Sequence, residues 1–299
     1  MTDVTNLSHG DGARRDTPPI DWLTPSTPQN SLITDLCLLY VLDRGGWLPT
    51  AAYVSLLGDL DVVPSSARTG LHRLSRGGFV ESRREGKANG YAVTRQWEEF
   101  MRMRYPELFH AANDTDPVSW TLVSFSIPES RRADRHLLRK TLTRLGFGSL
   151  APGLWIAPSD GTRVNRLVDQ LGVADEVDLF TANYIGDSDL AARCWDLPAL
   201  EAQYREFLTD LDESTTGTKP LTPREAFARL TLVHNKWRLI VQGDPRLPAS
   251  VLPRGWVGHR VRDRVTDLIA ELKEPAGHHV LSVLDDRPAT AGRKKGDAS

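Results

Sequence analysis

Two cysteines, Cys37 and Cys194, are too few and too far apart in 299 residues to staple a small fold. Neither is accompanied by histidines at ligand spacing, so no zinc framework is present. Cys37 sits in the apolar run LCLLY and reads as a small core residue. This usage points to a reducing, cytoplasmic setting. No apolar run approaches the roughly 18 residues that a membrane helix needs, and the N-terminus lacks the apolar core of a signal peptide. The sequence also has no GxSxG, no HExxH, no P-loop lysine and no dinucleotide glycine fingerprint. His9 lies in a polar tail, and His278-His279 lacks acidic or cysteine neighbours at ligand spacing. The reading is of a protein that is not an enzyme, with no catalytic residue, metal or cofactor. A net excess of positive charge is also lacking: the formal net charge is -2, so any field that attracts nucleic acid must be local. Otherwise the composition, 40% hydrophobic and 25% charged, is ordinary for a globular chain. Its length allows two or three domains.

A local field of that kind lies in residues 62–94, VVPSSARTGLHRLSRGGFVESRREGKANGYAVT. Ala67, Leu71 and Leu74 fall at helical spacing and predict a buried stripe over 65–76. Ser65, Ser66, Arg68, Thr69, His72, Arg73 and Arg76 occupy the other faces. Gly77-Gly78 ends the helix. Residues 79–84 and 91–94 read as two strands, with the turn assigned to EGKANG because Asn-Gly favours hairpins. The cations continue through Arg83, Arg84, Lys87 and Arg95, opposed only by Glu81 and Glu85. Two helices precede this stretch, NSLITDLCLLYVLD, with Asn30 or Ser31 as its cap, and one opened by Pro49-Thr50. Helices followed by a cationic hairpin form the layout of a winged helix-turn-helix that contacts double-stranded DNA. Arginine reads guanine bidentately, and Ser or Thr bonds phosphate. Ser65, Ser66, Arg68, Thr69, His72 and Arg73 are therefore assigned to or near base edges, and Arg83, Arg84, Lys87 and Asn89 to the backbone or minor groove.

The expected organisation is α+β. Residues 1–29 form a disordered tail, 30–95 the winged module, and 96–117 a connecting helix broken near Pro106 plus a polar link. In 118–196 the order strand-helix-strand, strand-helix-strand is ferredoxin-like. Its first helix carries Leu137, Leu138, Leu142 and Leu145 as core stripe. Residues 197–284 are all-helical: Thr222, Pro223 and Glu225 start one helix with a capping box, and a last helix spans 256–271. Residues 285–299 form a loose tail.

The chain resembles the PaaX family of transcriptional regulators over about 31–272. The likeness rests on Arg68-Thr69, Arg73-Leu74, Gly78-Phe79 and the segment GKANGYAVT in the first domain. In the middle it rests on WTLVSFSIPESRR and LRKTLTRLGFGSLAPGLWIAP. Near the end it rests on ARCWDLPALEAQYREFL, LVHNKWRLIVQGDPRLPASVLP and Gly255-Trp256. The resemblance implies a dimeric repressor with a winged domain, a Cas2-like middle and a helical C-terminal domain. It also implies release from operator DNA by a small effector such as an acyl-CoA, phenylacetyl-CoA in the best-known members. No motif here identifies that effector.

Candidate effector contacts are Arg135 and Arg139 in the basic series of the middle domain, Trp155, Trp195, and the pair His234 and Arg238. The last two lie four residues apart on one helix face, where Arg238 has Glu201 or Asp244 as possible carboxylate partners. Each has a plainer reading, since basic series commonly form a wet helix face and tryptophans commonly sit in cores. Two other functions compete with DNA reading. A Cas2-like metal-dependent nuclease needs a carboxylate near the end of the first middle strand, but WTLVSFSIPE offers Ser124, Ser126 and only later Glu129. A winged module used for protein contact predicts no salt-dependent DNA affinity.

Overall fold

The computed structural model describes residues 27–109, 119–158, 161–186, 189–213 and 220–285. The expected tails therefore lie outside the described residues except at their inner edges, and so does the polar link at 111–117. Helix α1 (Pro28–Leu36) starts earlier than the sequence suggested. Thr27 is its cap, not Asn30 or Ser31: the Thr27 hydroxyl accepts from the Asn30 amide at 3.3 Å, and Pro28 takes the first turn, where no amide partner is needed. The helix continues as a π turn at Cys37–Val41, tightens at Leu42–Arg44 and stops on Gly45 at φ 84°.

After β1 (Trp47–Pro49) come α2 (Thr50–Gly58) and α3 (Pro64–Arg76). Pro49 precedes α2 as its N-cap and does not sit inside its first turn. α3 buries Ala67, Leu71 and Leu74, the predicted stripe, together with Gly70. A Cβ on Gly70 would stand 2.8 Å from Ile33 Cδ1 and 3.1 Å from Asn30 Oδ1, so any larger residue would make these α1 side chains shift. β2 (Val80–Glu85) and β3 (Ala88–Val93) form the hairpin, and β1 completes an antiparallel sheet of order β1-β3-β2. The turn is not where Asn-Gly suggested. Glu85 pairs with Ala88, leaving Gly86-Lys87 as a two-residue connection with Gly86 at φ 57°. Glycine in the first loop position suits a tight primed turn. Gly90 is needed inside β3, where a Cβ would stand 2.3 Å from the Leu48 carbonyl oxygen.

α4 (Arg95–Arg104), capped by Thr94, leads to a single turn at Pro106–Leu108. The middle unit runs β4 (Trp120–Phe125), α5 (Arg132–Arg144), β5 (Gly148–Ala151), β6 (Leu154–Ala157), α6 (Thr162–Leu171) and β7 (Val177–Ala182). Its sheet order, β5-β6-β4-β7, all antiparallel, is the ferredoxin-like arrangement. α5 buries Leu138, Thr141 and Leu142, whereas Leu137 is 45% exposed and Leu145 half-buried, so the stripe is narrower than the leucines alone implied.

Four α-helices follow among the described residues: α7 (Leu190–Cys194), α8 (Leu197–Glu213), α9 (Pro223–Gly243) and α10 (Gly258–Asp285). The capping box of α9 forms as read. α10 does not end near Glu271; it runs 28 residues and passes through Pro275. An interior proline costs about 3 kcal/mol, but the turns beyond it bury Ala276 and Val280 against the N-terminal helices, and that packing holds the helix together. One core joins Leu36, Leu56, Leu71 and Val93 to Phe227, Leu230, Leu268 and Val280, so α9 and α10 complete the interior of the first module. A second core holds Tyr204, Phe207, Trp237 and Trp256 against Trp120 and Ile156 of the middle sheet. The third lies between the other sheet face and α5 and α6, around Val123, Trp155, Leu142 and Leu167.

Candidate nucleic-acid interface

At about 100° per residue, Arg68, His72, Ser65, Arg76, Thr69 and Arg73 spread over one arc of α3 opposite the buried stripe. All six are exposed, and Ser66 is half-buried beside them. The Thr69 hydroxyl donates back to the Ser65 carbonyl at 2.9 Å, which leaves the guanidinium groups as the outermost features. Among the described residues no acidic side chain pairs with Arg68, Arg73, Arg76 or Lys87. A helix with exposed cations and no internal counter-charge presents an uncompensated field to any polyanion that approaches.

The hairpin divides its cations between two faces, because side chains alternate along a strand. Arg84 lies opposite Asn89, on the face that carries Val80 and Val93 into the core with Leu71 and Leu74 of α3. Arg84 and Asn89 therefore extend the α3 side. Arg83 lies opposite Gly90 on the other face; it pairs with Glu85 at 2.7 Å, and its carbonyl accepts from the Trp47 indole at 3.2 Å. Lys87 is exposed at the tip. The sequence placed Arg83 and Arg84 together, and strand alternation separates them.

The candidate effector residues are not brought together. Trp155 is buried between the middle sheet and its helices, whereas Trp195 is on the opposite side, packed on Trp120 at 6.3 Å and donating its indole N–H to the Gly146 carbonyl. Arg135 bonds the Ile127 carbonyl and Glu129, and Arg139 is exposed. Arg131, in the same basic series, clips α5 to the segment after α6 through Asp134, Glu176 and the Leu171 and Gly172 carbonyls. Glu129, the late carboxylate of the nuclease reading, is engaged by Arg135 at 2.5 Å.

His234 and Arg238 are fully buried, and their carboxylate is Asp35 of α1, not Glu201 or Asp244. Arg238 donates Nε to Asp35 Oδ1 at 2.8 Å and Nη2 to Asp35 Oδ2 at 3.0 Å and Ser31 Oγ at 2.6 Å. His234 Nδ1 lies 2.7 Å from Asp35 Oδ1, and Asn235 Nδ2 donates to both Ser31 and Asp35. Burial alone would raise the Asp35 carboxyl; the Arg238 charge and the hydrogen bonds from Arg238 and His234 outweigh it and hold the group down at about 2. Sequence reasoning missed Asp35. Its trace was an acid among apolar residues in a helix, four residues after Ser31. It also gave His279 no acidic partner, yet His279 Nε2 lies 2.7 Å from Asp59 Oδ2, and Arg224 Nε donates to the other oxygen at 2.7 Å. These contacts tie α1 and α2 to α9 and α10.

Three family models match in order along the chain. The PaaX-like protein model covers residues 29–97, the PaaX protein central Cas2-like domain 115–193, and the PaaX-like protein C-terminal domain 195–282. The chain is 31% identical over 244 residues to the transcriptional repressor PaaX of Escherichia coli strain K12, across 78% of this chain and 76% of that one. Its fold is similar to that of the uncharacterized protein Rv0674 from Mycobacterium tuberculosis, with a TM-score of 0.57 at 19% identity, over 85% of this chain and 98% of the other. A basic helix and hairpin, a Cas2-like middle and helices that complete the first core thus come with matches along nearly all of the described sequence: the chain belongs to the PaaX family of transcriptional regulators.

Proposed function

We propose that this protein is a cytoplasmic transcriptional repressor that binds duplex operator DNA as a homodimer, using 30–95 as a winged helix-turn-helix. In this reading α3 enters the major groove, with Arg68, Thr69, His72 and Arg73 near base edges. Ser65, Ser66 and Arg76 lie at its margins, and Arg84, Lys87 and Asn89 follow the backbone. Arg83, turned to the other hairpin face and paired with Glu85, contributes less. The observation that carries the reading is the arc of α3 arginines without an acidic partner among the described residues. The E. coli relative's name as a transcriptional repressor supports the direction of control. Two recognition helices in a dimer need half-sites about one helical turn apart, or a multiple of that.

Release from DNA by a small anionic effector, acyl-CoA thioesters among the candidates, completes the proposal. It works as a population shift and requires unequal effector affinity for the free and DNA-bound states. The test is fluorescence anisotropy with duplexes selected by the protein from a random library, over a series of salt concentrations. A log-log slope of several, at about 0.9 per neutralised phosphate, is expected. Affinity that ignores salt would refute duplex binding and favour a protein-contact role for the same module.

A further inference from the structure

We infer that α5 of the middle unit is a second duplex-binding surface, one that grips the phosphate backbone beside the operator and adds affinity without reading sequence. It rests on the duplex-binding reading above and extends it to a part of the chain outside the winged module.

α5 carries five cations, one histidine and one acid in 13 residues, whereas α3, of the same length, carries three cations. At about 100° per residue, Arg132, Arg135, His136, Arg139, Lys140 and Thr143 fall within one arc of about 140°, on the side away from Leu138 and Thr141. No acid lies in that arc. Asp134 is half-buried on the other side and is held by Arg131 at 2.8 Å. Glu129, just before the helix, is taken by Arg135 at 2.5 Å, with Arg132 at 3.9 Å. Arg139 and Lys140 are exposed and have no acidic partner among the described residues.

A helix face that is merely wet mixes signs. α4 pairs Arg95 with Glu99 and Glu98 with Arg102, and α8 pairs Glu201 with Arg205, each four residues apart. α5 does the reverse. Arg135 and Arg139 are four apart, as are Lys140 and Arg144, and like charges at that spacing repel. Arg132 and Arg135 also stand in the first turn, where the helix dipole disfavours cations. Both effects weaken the isolated helix, and a polyanion laid on the arc offsets both. From Arg132 to Thr143 the arc runs about 16 Å, and a duplex carries one charge per ~1.7 Å of its axis. Cations and a hydroxyl without a large apolar group suit phosphates; the core of a protein–protein contact is richer in aromatic and apolar groups.

α5 is also fixed with respect to α3. Gly70 of α3 lies against Asn30 and Ile33 of α1, and Ser31 of α1 bonds Arg238 of α9 at 2.6 Å. Just beyond α9, Pro245 lies against Gly146, which follows α5. Packed contacts of this kind set one distance between the two basic helices, so what α5 grips is DNA at a set distance from the operator.

The experiment is fluorescence anisotropy of the full chain over a salt series. It uses the selected operator as a short duplex and the same site with about 15 base pairs added on each side, roughly 50 Å at 3.4 Å per pair. The longer duplex is expected to bind about tenfold tighter, with a salt slope steeper by about 2 for each protomer that contacts it. Arg139→Gln with Lys140→Gln should abolish that gain and leave the short duplex unchanged. Arg193→Gln with Arg205→Gln removes the same charge from two ion-paired sites and should change neither duplex. Both double variants should keep the melting temperature of the unaltered protein. No gain from the added DNA overturns the surface. So does a gain that survives the α5 substitutions, or one that falls equally with the control pair. Arg68→Ala with Arg73→Ala separates this proposal from the reading it rests on. If that pair leaves operator binding intact while the α5 pair abolishes the gain, the winged-module reading fails and α5 stands. Operator binding that depends on Arg68 and Arg73 but gains nothing from added DNA overturns α5 alone. A protein that binds neither duplex refutes both.

Discussion

Arg238 on α9 is fully buried, with its guanidinium bracketed by Asp35 and Ser31, whereas Arg68, Arg73 and Arg76 on α3 are exposed and have no acidic partner among the described residues. The two regions use one chemistry for different ends. In the interior, removing the partner strands a charge that water cannot reach. On α3 the charge already has its water, and it gains a partner only when a polyanion displaces the counterions. What an arginine contributes here is set by its access to solvent and by who holds the opposite charge.

The largest effect should come from breaking the buried side of this contrast. Asp35→Asn leaves Arg238 uncompensated and should cost about 3–5 kcal/mol of stability in urea unfolding. The same carboxylate sets a pH dependence. Its folded pKa of about 2 lies below the ordinary 3.8, so its contribution is fully present above about pH 4 and is lost as pH falls toward 2. The loss is on the order of 2 kcal/mol, and acid titration of the Asn variant should lack that segment. Next, Arg68→Ala with Arg73→Ala should reduce DNA affinity by about a hundredfold, at about tenfold per lost contact, with an unchanged unfolding midpoint. A large drop in that midpoint would erase the contrast. Lys87→Ala should weaken all duplexes alike and lower the salt slope by about 1; an altered sequence preference alone would contradict a backbone role. The smallest and most discriminating pair is Arg84→Ala against Arg83→Ala. The first should cost several-fold more in anisotropy, because only Arg84 shares the α3 side of the hairpin.

Local patterns were legible where local forces decide. The α3 stripe, the α9 capping box and the strand-helix order of the middle unit follow from spacing and end chemistry. Local rules failed where a distant segment decides. Asn89-Gly90 looks like a turn, but β1 packs so tightly on Gly90 that the dipeptide is held in the strand and the reversal passes to Gly86-Lys87. Pro275 looks like a stop, but the N-terminal core rewards continuation. Leu137 looks like core from its neighbours, yet its angle on α5 points away from the sheet. The Asp35–Arg238 contact joins positions 203 residues apart, and spacing within a helix cannot show a bond of that range.

α10 draws one further consequence from its course through two cores. Its 28 residues make a rod of about 42 Å, with Val261 and Val265 in the C-terminal core and Leu272, Ala276 and Val280 in the N-terminal one. On the ribosome the basic N-terminal module emerges well before α10, which supplies part of its interior. The module therefore waits for α10 before its packing is complete, and a chain cut short before Leu272 would expose an apolar gap where α10 belongs. A copy whose first module is fully packed has thereby been translated past Val280.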